Sequence, residues 1–252
     1  MNASRLLGDR RWPELDGPPI VTLLVPVGSL EQHGPHLPLD TDTRIAHAVA
    51  QAAAHAVAGG SVLVSPAVSF GASGEHETFP GTVSIGTEGL RTLLVELGRS
   101  AGRWARRLVF VNGHGGNLEA LGTAVTLLRA EGRDVRWFGC FPPGGDAHAG
   151  RAETSIMLAL APRTVRLELA RAGNVAPLAE LLPLMRASSV RAVSANGVLG
   201  DPAGASADEG RTLLAAMVGE LVAVLAHRGR PYLPLPCNSS SGISCSAAVS
   251  EP

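Results

Sequence analysis

The most informative stretch of this 252-residue chain is Pro26-Val-Gly-Ser-Leu-Glu-Gln-His-Gly-Pro-His-Leu-Pro-Leu-Asp-Thr-Asp42. Residues 20–27 form a continuous apolar run, which is typical of a strand buried on both faces. Residues 43–58 have a helical pattern with Asp42 or Thr43 at the N-cap. The loop between them carries five imidazole or carboxylate side chains, namely Glu31, His33, His36, Asp40 and Asp42. Because sites are commonly built on loops at the ends of buried strands, this stretch favours a metal site.

Strand and helix patterns alternate along most of the chain. Apolar runs predict further strands at 61–66, 107–111 and 134–140. Amphipathic patterns predict helices at 87–103, 118–130 and 208–228, and a further helix that follows the loop at 146–155 and ends at 160. This alternation predicts right-handed βαβ units and an α/β fold with a mainly parallel sheet covered on both faces. We interpret residues 20–233 as one domain, preceded by a lead-in at 1–19 and followed by a low-complexity tail at 234–252 that we predict to be disordered.

Composition and charge exclude several classes of function. The formal net charge of −1, the pI of about 6.7 and the 4% aromatic content give no electrostatic or stacking surface for nucleic acid. The absence of lysine excludes a Schiff-base lysine and the lysine of a phosphate-binding P-loop. The cysteines, Cys140, Cys237 and Cys245, form no CxxC pair and support neither a cysteine zinc site nor a disulfide framework. With no apolar run of membrane-spanning length and no signal-peptide pattern, we expect a cytoplasmic protein without membrane contacts.

Two further polar loops follow predicted strands. They are Asn112-Gly-His-Gly-Gly-Asn117 and Asp146-Ala-His-Ala-Gly-Arg-Ala-Glu-Thr-Ser155. The carboxyl ends of parallel strands share one edge of a sheet, so we expect these loops to meet residues 28–42 there. Imidazole and carboxylate ligands without thiolate suit Zn, Mn or Fe(II) rather than Ca. Two such ions about 3.5–4 Å apart would polarise an amide carbonyl and activate water, which is the chemistry of C–N bond hydrolysis.

Four ordered motifs resemble those of the creatininase family. They are the opening stretch, Phe79-Pro-Gly-Thr82, residues 112–117 and His148-Ala-Gly-Arg-Ala-Glu-Thr-Ser155, and the resemblance extends over residues 20–227. It implies a three-layer α-β-α sandwich, a metal-dependent amidohydrolase activity, a dinuclear metal centre and a homo-oligomer. By motif matching it also implies four metal ligands, Glu31, His33, Asp42 and His114, with Asp42 bridging the two ions.

The chain departs from creatininase itself at several positions. Gly116 stands where creatininase carries a glutamate ligand, and we predict that Glu153 supplies the missing carboxylate and also takes part in catalysis. His148 matches the family's catalytic histidine beside the scissile bond. The neighbouring glutamate of creatininase is Ala147 here, and its substrate-stacking tryptophan has no counterpart at 142–146, so creatinine is not the expected substrate.

Within the family, the stretches 71–76, 146–150, 171–174 and 197–202 resemble a peptidase branch. This resemblance implies release of a modified, Val-Tyr-derived C-terminal dipeptide from a ribosomally made precursor peptide during redox-cofactor biosynthesis. The implied cofactors are two divalent ions, Fe2+ and/or Zn2+ with Mn2+ as the alternative, and the implied partner is the precursor peptide. We predict substrate contacts from His76, Gly115, Asn117 and Asp146, and the N-terminus of the helix at 118–130 could help to hold a substrate carboxylate.

Two other functions stay open at this point. One is a sibling amidohydrolase acting on a small cyclic amide or formamide, of the creatinine amidohydrolase or formamidopyrimidine deformylase type. The other is a metal-stabilised binding or scaffold protein, which would lose stability without metal but would hydrolyse nothing. We expect water-accessible ligands, and these argue against a scaffold because structural metal sites are normally closed.

Overall fold

The computed structural model describes residues 4–16, 22–59, 61–142 and 144–226. The tail predicted at 234–252 and the first two residues of the strand predicted at 20–27 lie outside these ranges. The end of the helix predicted at 208–228 lies outside them as well.

A parallel sheet of four strands forms the centre of the described chain, in the order β2-β1-β3-β4. Its strands are β1 (Thr22–Val27), β2 (Val62–Val64), β3 (Arg107–Asn112) and β4 (Val135–Gly139). β1 pairs with β2 on one side and with β3 on the other, so the first strand of the chain is central in the sheet. All six residues of β1 are buried, as expected for an apolar run covered on both faces.

The α-helices of the described ranges connect and cover these strands. They are α1 (Thr41–Ala56), α2 (Gly86–Ala101), α3 (Leu118–Ala130), α4 (Arg151–Leu160), α5 (Leu178–Ala187), α6 (Val190–Val193) and α7 (Ala207–Ala226). None of the helices in these ranges has the length and apolar character needed to cross a membrane.

Helices lie on both faces of the sheet. Successive side chains of a strand point to opposite faces, and in β1 Leu24 packs in the core formed with α1, α4 and α7, whereas Leu23 and Val25 pack in the core formed with α2 and α3. The prediction of an α/β fold with a mainly parallel sheet in a three-layer α-β-α sandwich is therefore confirmed.

α2 and α7 begin one residue earlier than predicted, whereas the starts of α1 and α4 differ in a way that affects the candidate site. α1 begins at Thr41 with Asp40 at its N-cap, so Asp42 lies inside the first helical turn instead of capping it. α4 begins at Arg151, within the predicted loop at 146–155, so Glu153 lies on a helix. The carboxylate of Asp146 accepts hydrogen bonds from the first two backbone N–H groups of α4, which fixes where this helix starts.

The tight packing of α3 against the sheet gives a stability prediction. Leu121 is completely buried, whereas Leu127 on the same helix is 36% exposed. We expect Leu121→Ala to lower the free energy of unfolding by about 2–5 kcal/mol, because it leaves a cavity in the core. The matched control Leu127→Ala should change it by only about 0.5 kcal/mol. Urea denaturation followed by circular dichroism measures both, and equal losses in the two variants would contradict the packing described.

Candidate metal centre

The candidate site lies at the carboxyl ends of β1 and β3. After β1 the chain continues to β2 on one side, and after β3 it continues to β4 on the other side. Open α/β sheets bind ligands at such a switch point. The loop after β1 carries Glu31 and His33, and the loop after β3 carries His114. Gly113 lets the two loops approach, because a Cβ atom there would lie 2.4 Å from the carbonyl oxygen of Asp42.

Glu31 is the central carboxylate of the site. It is completely buried, and neither carboxylate oxygen has a hydrogen-bond partner among the described residues. Three imidazole nitrogens nevertheless face its Oε1 atom: His114 Nδ1 at 3.1 Å, His76 Nε2 at 3.5 Å and His148 Nδ1 at 3.9 Å. A buried carboxylate without hydrogen bonds is costly unless it is paired or coordinates a metal, so Glu31 indicates a metal site.

Asp42 lies between two histidines. Its Oδ1 atom is 3.0 Å from His33 Nε2, and its Oδ2 atom is 3.4 Å from His114 Nδ1. The hydroxyl of Ser29 donates a hydrogen bond of 2.5 Å to Oδ2 and fixes the orientation of the carboxylate. Each oxygen of Asp42 therefore faces a different imidazole.

Glu153 lies beside His33 and His148 in the first turn of α4. These three residues can each offer a ligand atom within 4.8 Å of the others. The Oε2 atom of Glu153 also accepts a hydrogen bond of 2.5 Å from the backbone N–H of Ala149. Ala149 has a φ of 52°, in the left-handed region that residues other than glycine rarely adopt. This hydrogen bond therefore helps to hold the turn that places His148 next to the helix.

The closely paired groups of the centre favour their charged forms. Although burial alone would raise the pKa of Glu31, the neighbouring imidazoles of His114 and His76 lower it well below its usual range. Burial likewise opposes charge on the histidines, yet the carboxylate of Asp42 raises the pKa of His33 to about 10. The carboxylate of Glu31 raises the pKa of His114 to about 10 in the same way. The carboxylates of Glu31 and Asp42 thus face cationic imidazoles, and a divalent cation can supply that positive charge instead.

Burial has the largest effect on the pKa values of three further groups of the centre, His76, His148 and Glu153. Burial lowers the pKa of His76 to about 4 and lowers the pKa of His148 well below its usual range. Burial also raises the pKa of Glu153 to about 7. His76 and His148 are therefore neutral near pH 7, each with one protonated and one unprotonated ring nitrogen.

The donor atoms of the site fit a divalent metal ion. Three overlapping groups bring three ligand atoms within 4.8 Å of one another, namely Glu31 with His76 and His148, His33 with His148 and Glu153, and Glu31 with His33 and Asp42. Donors around a tetrahedral ion with bonds of about 2.0–2.2 Å lie about 3.3–3.6 Å apart, which is close to the spacings in this cluster. Imidazole and carboxylate donors without thiolate suit Zn, Mn or Fe(II).

A carboxylate that the sequence patterns did not reveal fills the space beside Gly116. A Cβ atom at Gly116 would lie 2.4 Å from His114 Nε2 and 2.7 Å from Oε1 of Glu75. Glu75 lies on the short 3-10 turn Gly74–His76 and occupies the place of a side chain at 116. The carboxylate next to Gly116 is thus that of Glu75, whereas Glu153, the residue we predicted for this purpose, lies with His33 and His148.

The ligand atoms are less accessible than we expected. Glu31 and His33 are completely buried and Asp42 is 2% exposed, so the expectation of water-accessible ligands is wrong for these three residues. The side chain of Glu75 is 26% exposed, and its Oε1 lies 3.6 Å from His114 Nε2. Glu75 therefore marks the side of the centre that faces solvent.

The four residues predicted to contact substrate have different surroundings. His76 is part of the centre, and Gly115 is exposed, with no atom within 4 Å of a Cβ built there. The amide of Asn117 makes two hydrogen bonds to neighbouring loops and one to the last residue of β3. Asp146 accepts two hydrogen bonds from the start of α4. The hydrogen bonds of Asn117 and Asp146 are thus made within the fold, which gives both side chains a role in positioning the loops.

Gln32 is a second residue of the site that sequence reasoning missed. Its side chain lies within hydrogen-bond distance of His76 Nδ1, at 2.9 Å, although the two residues are 44 positions apart. The one signal in the sequence is its position between two predicted ligands, Glu31 and His33.

Comparisons with known proteins indicate the family of the chain. A family model described as creatininase, creatinine amidohydrolase, matches residues 9–225. A mycofactocin precursor peptide peptidase of Mycobacterium tuberculosis is 59% identical over 222 residues, covering 85% of this chain and 87% of the relative. One of Mycolicibacterium smegmatis is 60% identical over 199 residues, covering 78% of this chain and 81% of the relative.

Solved structures of creatininases have the same fold. A mutant creatininase of Zn-Zn type is 28% identical with a TM-score of 0.72, covering 89% of this chain and 98% of that one. A creatininase described with Mn is 26% identical with a TM-score of 0.71, covering 88% of this chain and 98% of that one. These metals agree with the donor set described above. The family model covers most of the chain, and the chain therefore belongs to the creatininase family.

Proposed function

We propose that this chain is a metal-dependent peptidase that releases the modified, Val-Tyr-derived C-terminal dipeptide from the mycofactocin precursor peptide by hydrolysis of one peptide bond. The name of the relatives that are 59% and 60% identical supports this substrate. The observation that carries the proposal is the Glu31 carboxylate, which is buried, has no hydrogen-bond partner among the described residues and faces three imidazoles.

Two divalent ions would be held by five residues, namely Glu31, His33, Asp42, His114 and Glu153. We propose that Asp42 is shared between the ions, because its two oxygens face different imidazoles. When bound, ions of this kind polarise a carbonyl group and lower the pKa of water to about 7. The donor set admits Fe2+ and Zn2+, with Mn2+ as the alternative.

His148 is the residue that we propose to carry the proton of the reaction. Its Nε2 atom lies 2.8 Å from the backbone oxygen of Gln32, which can only accept, so Nε2 carries the hydrogen. Its Nδ1 atom faces the centre, 3.9 Å from Glu31 Oε1. Nδ1 can therefore take a proton from water and pass it to the leaving amine. Glu153, close to His148, is the second group that we propose to be catalytic.

Incubation of the protein with the modified precursor peptide tests the proposal directly. We expect mass spectrometry to show loss of the C-terminal dipeptide, because His148 lies next to the residues that would hold the ions. A chelator should abolish the cleavage, and Fe2+ or Zn2+ should restore it. A precursor peptide with a scrambled C-terminal sequence is the control and should stay intact.

Three results would contradict the proposal. Elemental analysis can show that a protein sample is metal-free. If such a sample still cleaves the peptide, the reaction does not need a metal. Turnover of creatinine or a formamidopyrimidine without peptide cleavage would favour a sibling amidohydrolase. Loss of stability on chelation, with no hydrolysis of any of these substrates, would favour a metal-stabilised scaffold.

Two further expectations concern the assembly and the location of the protein. We propose that the chain forms a homo-oligomer, which sedimentation velocity measures, and that it acts in the cytoplasm. Both stay predictions.

A further inference from the structure

Gln32 is a buried amide whose orientation is fixed by the backbone around it. Its Oε1 atom accepts a hydrogen bond of 2.9 Å from the N–H of Gly34. Its Nε2 atom lies 3.0 Å from the carbonyl oxygen of Gly197 and donates to it. Because a backbone N–H only donates and a carbonyl only accepts, these two contacts determine which end of the amide is oxygen.

The second hydrogen of this amide determines the tautomer of His76. Gln32 Nε2 lies 2.9 Å from His76 Nδ1, and an amide nitrogen can only donate. The Nδ1 atom of His76 therefore accepts and carries no hydrogen, so the ring hydrogen is on Nε2. That atom faces the centre, 3.5 Å from Glu31 Oε1. His76 thus presents an N–H group to the centre and has no lone pair for a metal on that side.

His148 presents a nitrogen lone pair to the centre, whereas His76 presents an N–H group. Its Nε2 atom donates to the backbone oxygen of Gln32 at 2.8 Å, which leaves Nδ1 with a lone pair on the side of Glu31. The 3.1 Å contact between Gln32 Nε2 and His148 Nε2 joins two donors and is therefore not a hydrogen bond. Both amide hydrogens of Gln32 are already used by His76 and Gly197.

We propose that Gln32 is a positioning residue whose side chain makes His76 a hydrogen-bond donor to the carbonyl oxygen of the scissile bond, while its backbone oxygen keeps His148 a proton acceptor. This inference rests on the proposed peptidase function. The two imidazoles are similar in chemistry, and the hydrogen bonds of one residue give them different tasks. Donors aimed at an oxygen that gains negative charge in the transition state are a large contribution to catalysis of acyl transfer.

The tautomers can be measured without any assay of activity. In zinc-loaded wild-type protein, long-range 1H–15N correlation spectra should show the hydrogen of His76 on Nε2. In Gln32→Glu the new carboxylate cannot donate to Nδ1, so His76 should gain a hydrogen on Nδ1. His148 should keep its hydrogen on Nε2, because its partner is a backbone oxygen. Gln51→Glu, a change of the same type on α1, is the control and should leave both spectra unchanged.

Kinetics provide the second measurement. We expect Gln32→Glu to lower kcat for dipeptide release by about 10²–10³, the effect of losing one such donor, with little change in KM and an unchanged ratio of metal to protein. His76 protonated on Nδ1 in the wild type would overturn the inference, and so would a spectrum of His76 that Gln32→Glu does not alter. The wild-type spectrum gives this answer even if the variant does not fold. Failure of the wild type to cleave the peptide would instead contradict the proposed function.

Discussion

Replacing Asp42 by asparagine is expected to release the metal and to slow dipeptide release by about 10³-fold or more. Asp42 faces His33 Nε2 at 3.0 Å with one oxygen and His114 Nδ1 at 3.4 Å with the other. Asparagine has almost the same shape, but it lacks the negative charge and has one oxygen instead of two. Bound ions of this kind stabilise the transition state by several kcal/mol. Losing about 4 kcal/mol of this stabilisation corresponds to a rate about 10³-fold lower.

Elemental analysis of dialysed protein and the rate of dipeptide release measure this effect. Asp40→Asn is the matched control, because Asp40 lies two residues earlier, at the N-cap of α1, and its half-exposed carboxylate pairs with Arg44 at 2.7 Å. The control should keep the metal and the activity. Circular dichroism should show that both variants are folded. An Asp42→Asn protein with a full complement of metal and normal turnover would exclude Asp42 as a ligand.

The sequence predicts helices and strands well where the local pattern controls them. The bounds of α3, Leu118–Ala130, agree with the predicted 118–130, because polar and glycine-rich segments flank a regular apolar face. α4 begins inside a predicted loop because the carboxylate of Asp146 binds the N–H groups of Arg151 and Ala152. That contact depends on how the chain turns at Ala149, and the apolar periodicity carries no information about it.

The same distinction explains which parts of the candidate site were predictable. Glu31, His33 and His114 follow the ends of β1 and β3, and the parallel order of the strands is sufficient to bring such loops together. Glu75 reaches the centre from a turn within the long loop at 69–86. The path of that loop depends on tertiary contacts such as the 2.9 Å hydrogen bond from Ala72 N–H to Asn117, which no local pattern specifies.

Gln32 was missed for a different physical reason. In an extended segment, neighbouring side chains point to opposite sides, so a pair of ligands at 31 and 33 carries no information about the contacts of the side chain between them. The side chain of Gln32 contacts His76 and Gly197, which come from distant parts of the chain. The residues around the ligands were therefore harder to predict than the ligands themselves.

Replacing His148 by glutamine separates a proton carrier from a metal ligand. His148 is close enough to Glu31 and His76, and to His33 and Glu153, to coordinate an ion. Its Nδ1 lone pair is nevertheless 3.9 Å from Glu31 Oε1, farther than the nitrogens of His114 and His76. We therefore expect His148→Gln to retain its metal, because all five residues proposed as ligands stay in place.

The same variant should lower kcat for dipeptide release by about 10²–10⁴, the usual contribution of a group that transfers a proton in the transition state. Its amide can still donate to the backbone oxygen of Gln32, so the loop should keep its shape. His47→Gln on α1 is the control for the loss of an imidazole away from the centre, and it should keep normal kcat. Loss of both metal and activity in His148→Gln would indicate that His148 is a metal ligand instead of a proton carrier. Unchanged turnover would exclude both roles.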